Sequence, residues 1–175
     1  INPRPVTLSV TDSSKIYGEL DPTFKWELTD GSMVFGETAS ANLTRAAGEN
    51  VGNYAIAPTL SGALASGNYT VTTANGALTI SPRPITIGVT DASKVYGELD
   101  PTFGWEITEG SMAFGDTATA NLTRADGEDV GNYAITPSFN GALASGNYAI
   151  TLDDGVLSIT PRAIVIDISN LDKIY

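Results

Sequence analysis

The sequence predicts a mostly β protein made of tandem small modules in an extended array. Each module is predicted to be a small β-sandwich or a β-grasp-like sheet with at most a short helical turn. Three observations predict this class. The chain repeats itself at a constant step of 79 residues. Apolar and polar residues alternate along short segments, as they do in half-buried strands. Helical patterns are confined to one short stretch of each repeat.

The repeat defines the predicted domains. Aligning residues 3–81 with residues 82–160 needs no gap, and about two-thirds of the positions are identical. We therefore assign residues 1–81 to repeat 1 and residues 82–160 to repeat 2. Residues 161–175 are assigned to a truncated third repeat, of which they would form the first strand. The lysine of a repeated Lys-x-Tyr phrase stands at Lys15, Lys94 and Lys173.

Alternation places the predicted strands. In repeat 1 they cover residues 6–10 and 24–28, with further strands around residues 41–45, 54–56 and 63–65. Residues 69–72 and 77–80 flank Asn75-Gly76, and the same pattern surrounds Asp154-Gly155 in repeat 2. Asn-Gly and Asp-Gly supply the positive φ angles of a tight turn, so we expect a β-hairpin there in both repeats. Residues 36–41 are the one candidate for a helical turn.

A Tyr-Gly-x-x-x-Pro segment follows the first strand and is interpreted as part of the architecture. Gly18 can take a positive φ where the chain turns, and Pro22 starts an extended segment. Tyr17 is expected to cap the core while its hydroxyl stays in water. Repeat 2 carries the same structural motif at Tyr96, Gly97 and Pro101.

Two tryptophans at strand spacing allow two interpretations. Trp26 and Trp105 could act as platforms on which sugars stack. Each of them alternates with Phe and with Leu or Ile. This pattern favours burial in the core.

The linker between the repeats contains Pro82 and Pro84 and no Gly/Ser tract. Proline fixes φ and favours extended geometry in the residue before it, so the sequence predicts a short, stiff connection. Pro161 stands at the next boundary, where alanine replaces the second proline. That connection is predicted to be slightly less rigid.

The net charge is −11, of which repeat 1 carries −3 and repeat 2 carries −8. No basic stripe occurs, and an acidic surface repels phosphate groups, so nucleic acids and anionic membranes are poor partners. No apolar run approaches the roughly 20 residues that a membrane helix needs. We expect neither nucleic-acid binding nor membrane insertion.

Catalytic chemistry has few candidates, because the chain contains no His and no Cys. These residues supply the commonest general base and the thiol nucleophile. Paired carboxylates remain, at Glu19 with Asp21 and at Glu98 with Asp100. Their position beside a proline in a predicted turn favours solvated acids. We expect no enzyme activity, no catalytic residue and no cofactor.

Calcium is the alternative kept open, because acidic arrays can be stiffened by it. Asp126, Glu128 and Asp129 are the densest acidic cluster, but repeat 1 has alanine and asparagine at two of the three equivalent positions. Asp153-Asp154 also has no acidic counterpart in repeat 1. Calcium needs roughly six to eight oxygen ligands, and a site used in every repeat should occur in both. We therefore predict no metal-binding residue.

A covalent alternative concerns Lys15 and Lys94. Some bacterial surface β-domains join a buried lysine to an asparagine, and Asn42, Asn53 and Asn68 have strand-like contexts. The favoured interpretation leaves Lys15 exposed before the Tyr-Gly turn, with its aliphatic stem on the tyrosine ring.

The ordered set of short motifs resembles a known family. It runs as Lys-x-Tyr-Gly-x-x-Asp-Pro-x-Phe from Lys15, Leu-Thr-Arg up to Arg45, Gly-Glu-x-Val-Gly-x-Tyr-x-Ile over residues 48–56, and Gly-Asn-Tyr up to Tyr69. Over essentially the whole chain this resembles the MBG domain of the YGX type. The resemblance implies tandem arrays in large bacterial exported proteins, including filamentous-haemagglutinin-like adhesins, and a cell-surface or secreted location. It implies no catalytic residue.

Two functions are consistent with these observations. The first is a structural stalk repeat of a bacterial adhesin, a monomer whose partners are the neighbouring repeats of its own chain. The second is a weak binding module for a host or biofilm glycan or protein, which gains avidity through repetition. Exposed aromatic or apolar patches would favour binding, and a uniformly polar, acidic surface would favour the stalk.

Overall fold

A computed structural model describes residues 1–168, and their fold is all-β, as predicted. The seven strands of repeat 1 are β1 Arg4–Val10, β2 Ser13–Ile16, β3 Trp26–Asp30, β4 Ala39–Arg45, β5 Gly52–Gly62, β6 Tyr69–Ala74 and β7 Gly76–Ser81. The strands of repeat 2 are β8 Arg83–Val89, β9 Ala92–Val95, β10 Trp105–Glu109, β11 Ala118–Arg124, β12 Gly131–Gly141, β13 Tyr148–Asp153 and β14 Gly155–Thr160.

Each repeat contributes two mixed sheets. In repeat 1 a three-stranded sheet has the order β3-β1-β6, with β1 antiparallel to β3 and parallel to β6. A four-stranded sheet has the order β2-β7-β5-β4, in which only β2 and β7 are parallel. Repeat 2 has the same orders, β10-β8-β13 and β11-β12-β14-β9.

The chain divides into two compact units whose boundaries differ from those of the repeats. The first unit contains Ile1–Pro84 together with two segments of repeat 2, Met112–Ala118 and Gly141–Ala149. The second unit contains Ile85–Ser111, Thr119–Asn140 and the described residues from Ile150 onward. Two short pieces of repeat 2 are therefore part of the first unit.

The core of the second unit joins residues from both sheets of its repeat. Its fully buried members are Val89 on β8, Ile135 on β12, and Leu157 and Ile159 on β14. Trp105 is half-buried and packs against this cluster, as its strand spacing predicts. In the first unit the alternation along β1 is equally clear, because its apolar side chains are buried while the intervening ones are partly exposed.

The predicted hairpin is wrong in both repeats, although its strands exist. β6 belongs to the three-stranded sheet and β7 to the four-stranded sheet, so the chain crosses between sheets at Asn75-Gly76. Neither residue has a positive φ. A Cβ on Gly76 would lie 2.9 Å from the Val10 carbonyl oxygen, so glycine is needed for close packing. Asp12 Oδ1 accepts a hydrogen bond from the Ala77 N–H at 2.8 Å and fixes the crossing.

Two smaller predictions are also wrong. Residues 63–65 form a short 3-10 helix, Ala63–Ala65, and not a strand. Residues 36–41 contain no helix, because Phe35 and Gly36 have φ angles of 56° and 74° and make a tight turn. The Glu37 N–H closes this turn on the Val34 carbonyl at 3.0 Å, and β4 begins two residues later.

Residues 161–168 have no assigned strand, and their apolar side chains at Ile164, Val165, Ile166 and Ile168 are exposed. The remaining residues of the predicted third repeat, including Lys173, lie outside the described residues. Within residues 1–168, none of the helical segments has the length and apolar character required to cross a bilayer.

Candidate functional site

The Lys-x-Tyr lysine is buried, which corrects the prediction that it is exposed. Lys15 lies on β2, an edge strand of four residues, and its side chain is only 3% exposed. Its Nζ lies 2.7 Å from Asp21 Oδ1 and 2.6 Å from Glu49 Oε2, and it donates to the Glu19 carbonyl at 3.1 Å. Three protein oxygens therefore accept the hydrogen bonds that the ammonium would otherwise donate to water.

An arginine completes this network. Arg45 Nε lies 2.6 Å from Asp21 Oδ2, and Arg45 Nη2 pairs with Glu49 Oε1. The guanidinium also donates to the Gly48 carbonyl at 2.6 Å and lies over the Tyr54 ring, 5.6 Å from its centroid. Two cations and two carboxylates thus form a closed set. We call it the charge network of repeat 1.

Repeat 2 has the same arrangement. Lys94 Nζ lies 2.7 Å from Asp100 Oδ1 and 2.5 Å from Glu128 Oε2. Arg124 bridges the same two carboxylates and lies over the Tyr133 ring at 5.5 Å. The prediction of solvated turn acids is therefore wrong for Asp21 and Asp100, whereas Glu128, although paired, keeps a side chain that is 64% exposed.

The other acid of each predicted pair has a local role. Glu19 Oε2 accepts the Ile16 N–H at 3.1 Å, and Glu98 Oε2 accepts the Val95 N–H at 3.2 Å. Each carboxylate therefore holds the start of its own Tyr-Gly turn and is more than a solvated charge.

Electrostatics keeps the members of the network charged. Burial lowers the pKa of Lys15, but hydrogen bonds to Asp21 and Glu49 outweigh it and raise that pKa above its ordinary value. The hydrogen bond from Arg45 holds the pKa of Asp21 below its ordinary value, and that from Lys15 does the same for Glu49. A protonated lysine is a poor nucleophile, so this environment disfavours an amide bond to asparagine.

Residues 1–168 contain no group of three or more His, Cys, Asp or Glu residues placed to hold a metal ion. In the acidic cluster of repeat 2 all three acids are exposed, and Glu128 also pairs with Lys94 and Arg124.

The first Tyr-Gly turn lies in a pocket within the first unit. Tyr17 is 5% exposed, and its hydroxyl donates to Asp116 Oδ2 at 3.0 Å. The expectation of a hydroxyl in water is therefore wrong for Tyr17. Its ring meets those of Phe114 and Tyr148 edge-on, at centroid distances of 5.2 and 5.4 Å. Such pairs stabilise by about 0.5–1.5 kcal/mol each beyond their buried area.

Backbone contacts fix the turn in this pocket. Gly18 has the expected positive φ of 87°, and a Cβ there would lie 2.3 Å from the Ala113 Cβ. Arg83 Nη1 donates to the Tyr17 carbonyl at 3.3 Å. Only glycine permits both this φ and this close approach.

A buried asparagine makes a second set of contacts in the same unit. Asn147 Oδ1 accepts the Val51 N–H at 2.9 Å, and Asn147 Nδ2 donates to Asn50 Oδ1 at 3.0 Å. Its carbonyl accepts the Arg83 N–H at 2.9 Å. Both amide atoms of this side chain therefore have partners.

Burial raises the pKa of Tyr17, and the hydrogen bond to the Asp116 carboxylate acts in the same direction. Burial likewise raises the pKa of Tyr148, whose hydroxyl donates to the same Asp116 oxygen at 2.7 Å. Both hydroxyls thus remain protonated donors to one carboxylate.

The second Tyr-Gly turn has the same backbone and a different exposure. Gly97 has a φ of 85°, and Arg162 Nη1 donates to the Tyr96 carbonyl at 3.2 Å. Tyr96 is 46% exposed. Pro22 and Pro101 are half-buried and precede β3 and β10.

Repeat 1 has a cleft of about 550 Å³, formed by the residues that correspond to those of repeat 2 around Tyr17. Its lining includes Arg4, Val34, Phe35, Glu37, Asn68 and Tyr69. Phe35 is 99% exposed and has a φ of 56°, and Phe114 has a φ of 52°. Among the described residues these two are the non-glycine residues with positive φ. Each costs roughly 1–2 kcal/mol and marks a constrained turn.

The linker prolines lie where the strands of the two repeats meet in sequence. Pro82 is the single residue between β7 and β8, and Pro84 is the second residue of β8. Pro161 directly follows β14.

Comparison with known proteins agrees with the motifs and the fold. The family model of the MBG domain (YGX type) matches residues 6–79 and again residues 85–158. A search of curated proteins gives no match. The two matched segments cover most of the chain and coincide with its two repeats. The chain therefore belongs to the MBG domain family of the YGX type and carries two copies of that domain in tandem.

Proposed function

We propose that this chain is a non-catalytic structural segment of a bacterial cell-surface adhesin, whose repeats project an adhesive region from the cell. Tandem MBG repeats are consistent with a repeat of a surface protein, and MBG domains are typical of surface or exported proteins. The observation that carries the proposal is the junction at Pro82. With one residue between β7 and β8, the connection has little freedom to vary.

The use of the charged residues supports a structural role. The carboxylates that a hydrolase would need, such as Asp21 and Asp100, are bound to lysine and arginine in both repeats. A general acid or base needs a carboxylate free to exchange protons with a substrate. We therefore propose that the chain has no enzyme activity and no cofactor, and that calcium leaves its unfolding temperature unchanged.

The test is a pair of changes in the array of the surface-displayed parent protein. Deleting one 79-residue repeat should leave binding to a soluble adhesion ligand unchanged and reduce adhesion to a ligand buried within a thick glycan layer. The matched control replaces repeat 2 by a second repeat 1, which keeps the length and should change neither. Loss of soluble-ligand binding in the control would show that the repeats themselves bind.

The binding-module alternative is favoured by one observation, the exposed Phe35 beside the cleft of repeat 1. An exposed aromatic ring next to a concave surface is typical of recognition sites. If that cleft bound a glycan, Phe35→Asn should abolish binding of the chain to an immobilised glycan set. Asparagine tolerates the left-handed φ at this position, so the fold should persist.

A further inference from the structure

We propose that the cleft of repeat 1 is an acceptor for the Tyr-Gly turn of another MBG repeat, such as the Tyr96-Gly97 turn of a second copy of this chain. This inference concerns recognition between repeats. It stands whether or not the protein is an adhesin.

The pocket of repeat 2 that corresponds to this cleft is occupied by a Tyr-Gly turn. The cleft residues Arg4, Val34, Phe35, Glu37, Asn68 and Tyr69 correspond, 79 positions later, to Arg83, Ala113, Phe114, Asp116, Asn147 and Tyr148. Within the first unit these six residues surround the first Tyr-Gly turn. Four of the six side chains are identical in the two repeats, and in repeat 2 the set holds a tyrosine followed by glycine.

The cleft of repeat 1 is already built in the binding geometry. The Val34 N–H donates to the Tyr69 hydroxyl at 3.1 Å, and that hydroxyl donates to Glu37. The equivalent bonds in the pocket of repeat 2 run from Ala113 to Tyr148 and from Tyr148 to Asp116. The carboxylate of Glu37 is thus placed to accept a second phenol hydroxyl.

The Tyr96-Gly97 turn has the conformation of a turn that could enter the cleft. Its glycine φ, 85°, matches the 87° of Gly18, and Arg162 holds the Tyr96 carbonyl as Arg83 holds that of Tyr17. With 46% of Tyr96 exposed, its ring can enter an acceptor that covers it.

A second contact accompanies the first. In the first unit, Asn147 binds the Val51 N–H and Asn50. In repeat 2, which carries the Tyr96-Gly97 turn, the residues equivalent to Val51 and Asn50 are Val130, which is 52% exposed, and Asp129. An incoming amide like that of Asn68 would meet an N–H and a carboxylate there, so the docking has two points and a defined orientation.

Two residues distinguish the cleft from the occupied pocket. Val34 replaces Ala113, which lies against Gly18, and Glu37 replaces Asp116. A larger side chain at the glycine weakens the fit. The double change Val34→Ala and Glu37→Asp should therefore strengthen docking.

The experiment uses a duplicated chain in which residues 1–160 are followed directly by residues 3–175, which preserves the 79-residue register. A single polypeptide brings donor and acceptor to an effective concentration of about millimolar. The readout is nitration of tyrosine by tetranitromethane, followed by peptide mass analysis. Leu99→Ala in the first copy labels its Tyr96 peptide by mass. Leu20, the equivalent residue, stays 94% exposed beside the buried Tyr17, so this label does not disturb docking.

We expect Tyr96 of the first copy to lose its reactivity and become as protected as Tyr17, while Tyr96 of the second copy reacts. Phe35→Asn in the second copy should restore the reactivity of the first Tyr96, whereas the Val34→Ala, Glu37→Asp pair should keep it protected. Equal nitration of both Tyr96 residues, with Tyr17 protected in both copies as proof of folding, would overturn the proposal.

Discussion

The hydroxyl of Tyr17 donates a hydrogen bond to Asp116 Oδ2 at 3.0 Å, across 99 positions of sequence. The same oxygen accepts the Tyr148 hydroxyl at 2.7 Å. One carboxylate therefore links a turn of repeat 1 to a tyrosine of repeat 2 inside the first unit. This explains why the two Tyr-Gly motifs, identical in sequence, have different exposures.

The first prediction concerns this hydrogen bond. Tyr17→Phe keeps the ring contacts and removes one donor, so the free energy of unfolding should fall by about 1 kcal/mol. Tyr96→Phe is the matched control, and it should change the same quantity by less than about 0.5 kcal/mol because Tyr96 is half exposed. Urea unfolding measures both. Equal effects would mean that the pocket contributes nothing through the hydroxyl.

The second prediction concerns the charge network. Asp21→Asn with Glu49→Gln leaves the buried Lys15 ammonium without an anion and should cost roughly 3 kcal/mol or more. Lys15→Met removes the buried charge, while Arg45 still pairs both carboxylates, so it should cost less than half as much. Asp126→Asn, at an exposed acid, is the control. If Lys15→Met were the more damaging change, the lysine would act through packing and not through charge.

The third prediction is acid sensitivity. The pKa values of Asp21 and Glu49 lie below their ordinary values of 3.8 and 4.5, and those of Asp100 and Glu128 are lowered in the same way. A lowered folded-state pKa gives stability that is complete above the unfolded-state pKa and is lost as pH falls through the folded value.

The unfolding temperature should therefore hold from neutral pH down to about 4.5 and fall below it. A chain with Asp21→Asn and Asp100→Asn should be less stable at neutral pH and should lose less on acidification. Thermal unfolding followed by circular dichroism checks this. An identical slope in both chains would mean that other acids control the transition.

The fourth prediction concerns the crossing between sheets. A Cβ on Gly155 would lie 2.6 Å from Val89 Cγ1 and 2.9 Å from the Val89 carbonyl oxygen. Gly155→Ala should therefore destabilise by about 1–3 kcal/mol. Gly104→Ala is the control, since its Cβ would meet nothing nearer than 3.5 Å and Lys25 stands at the equivalent position of repeat 1. A hairpin at Asp154-Gly155 would instead make the two changes similar.

The alternation of apolar and polar residues predicts most of the strands, because a period of two depends only on neighbouring residues. The pairing of β6 and β7 could not be found in this way. Asn75-Gly76 has the composition of a hairpin turn, but the packing of Gly76 against Val10, far away in sequence, sends the two strands to different sheets. Which strands pair in a sheet depends on contacts between residues that are far apart in sequence.

The charge network left a signal that could have been used. Lys15, Asp21, Arg45 and Glu49 are identical in both repeats, while the uncharged residues near Glu49, Ala47 and Asn50, are replaced in repeat 2 by Asp126 and Asp129. Charged residues retained beside variable ones point to a specific partner. The four-residue strand β2, however, is too short for alternation to reveal, and for that reason Lys15 was predicted to be exposed.

The charge network also bears on how such proteins change length. Its most distant partners, Lys15 and Glu49, are 34 positions apart, so the complete set lies within one period. Duplication or loss of a whole period by recombination copies or removes all four charges together. An insertion that ignored the period would separate a buried lysine from its anions. A change of length by whole repeats therefore keeps every buried lysine together with its anions, whereas a change by part of a repeat does not.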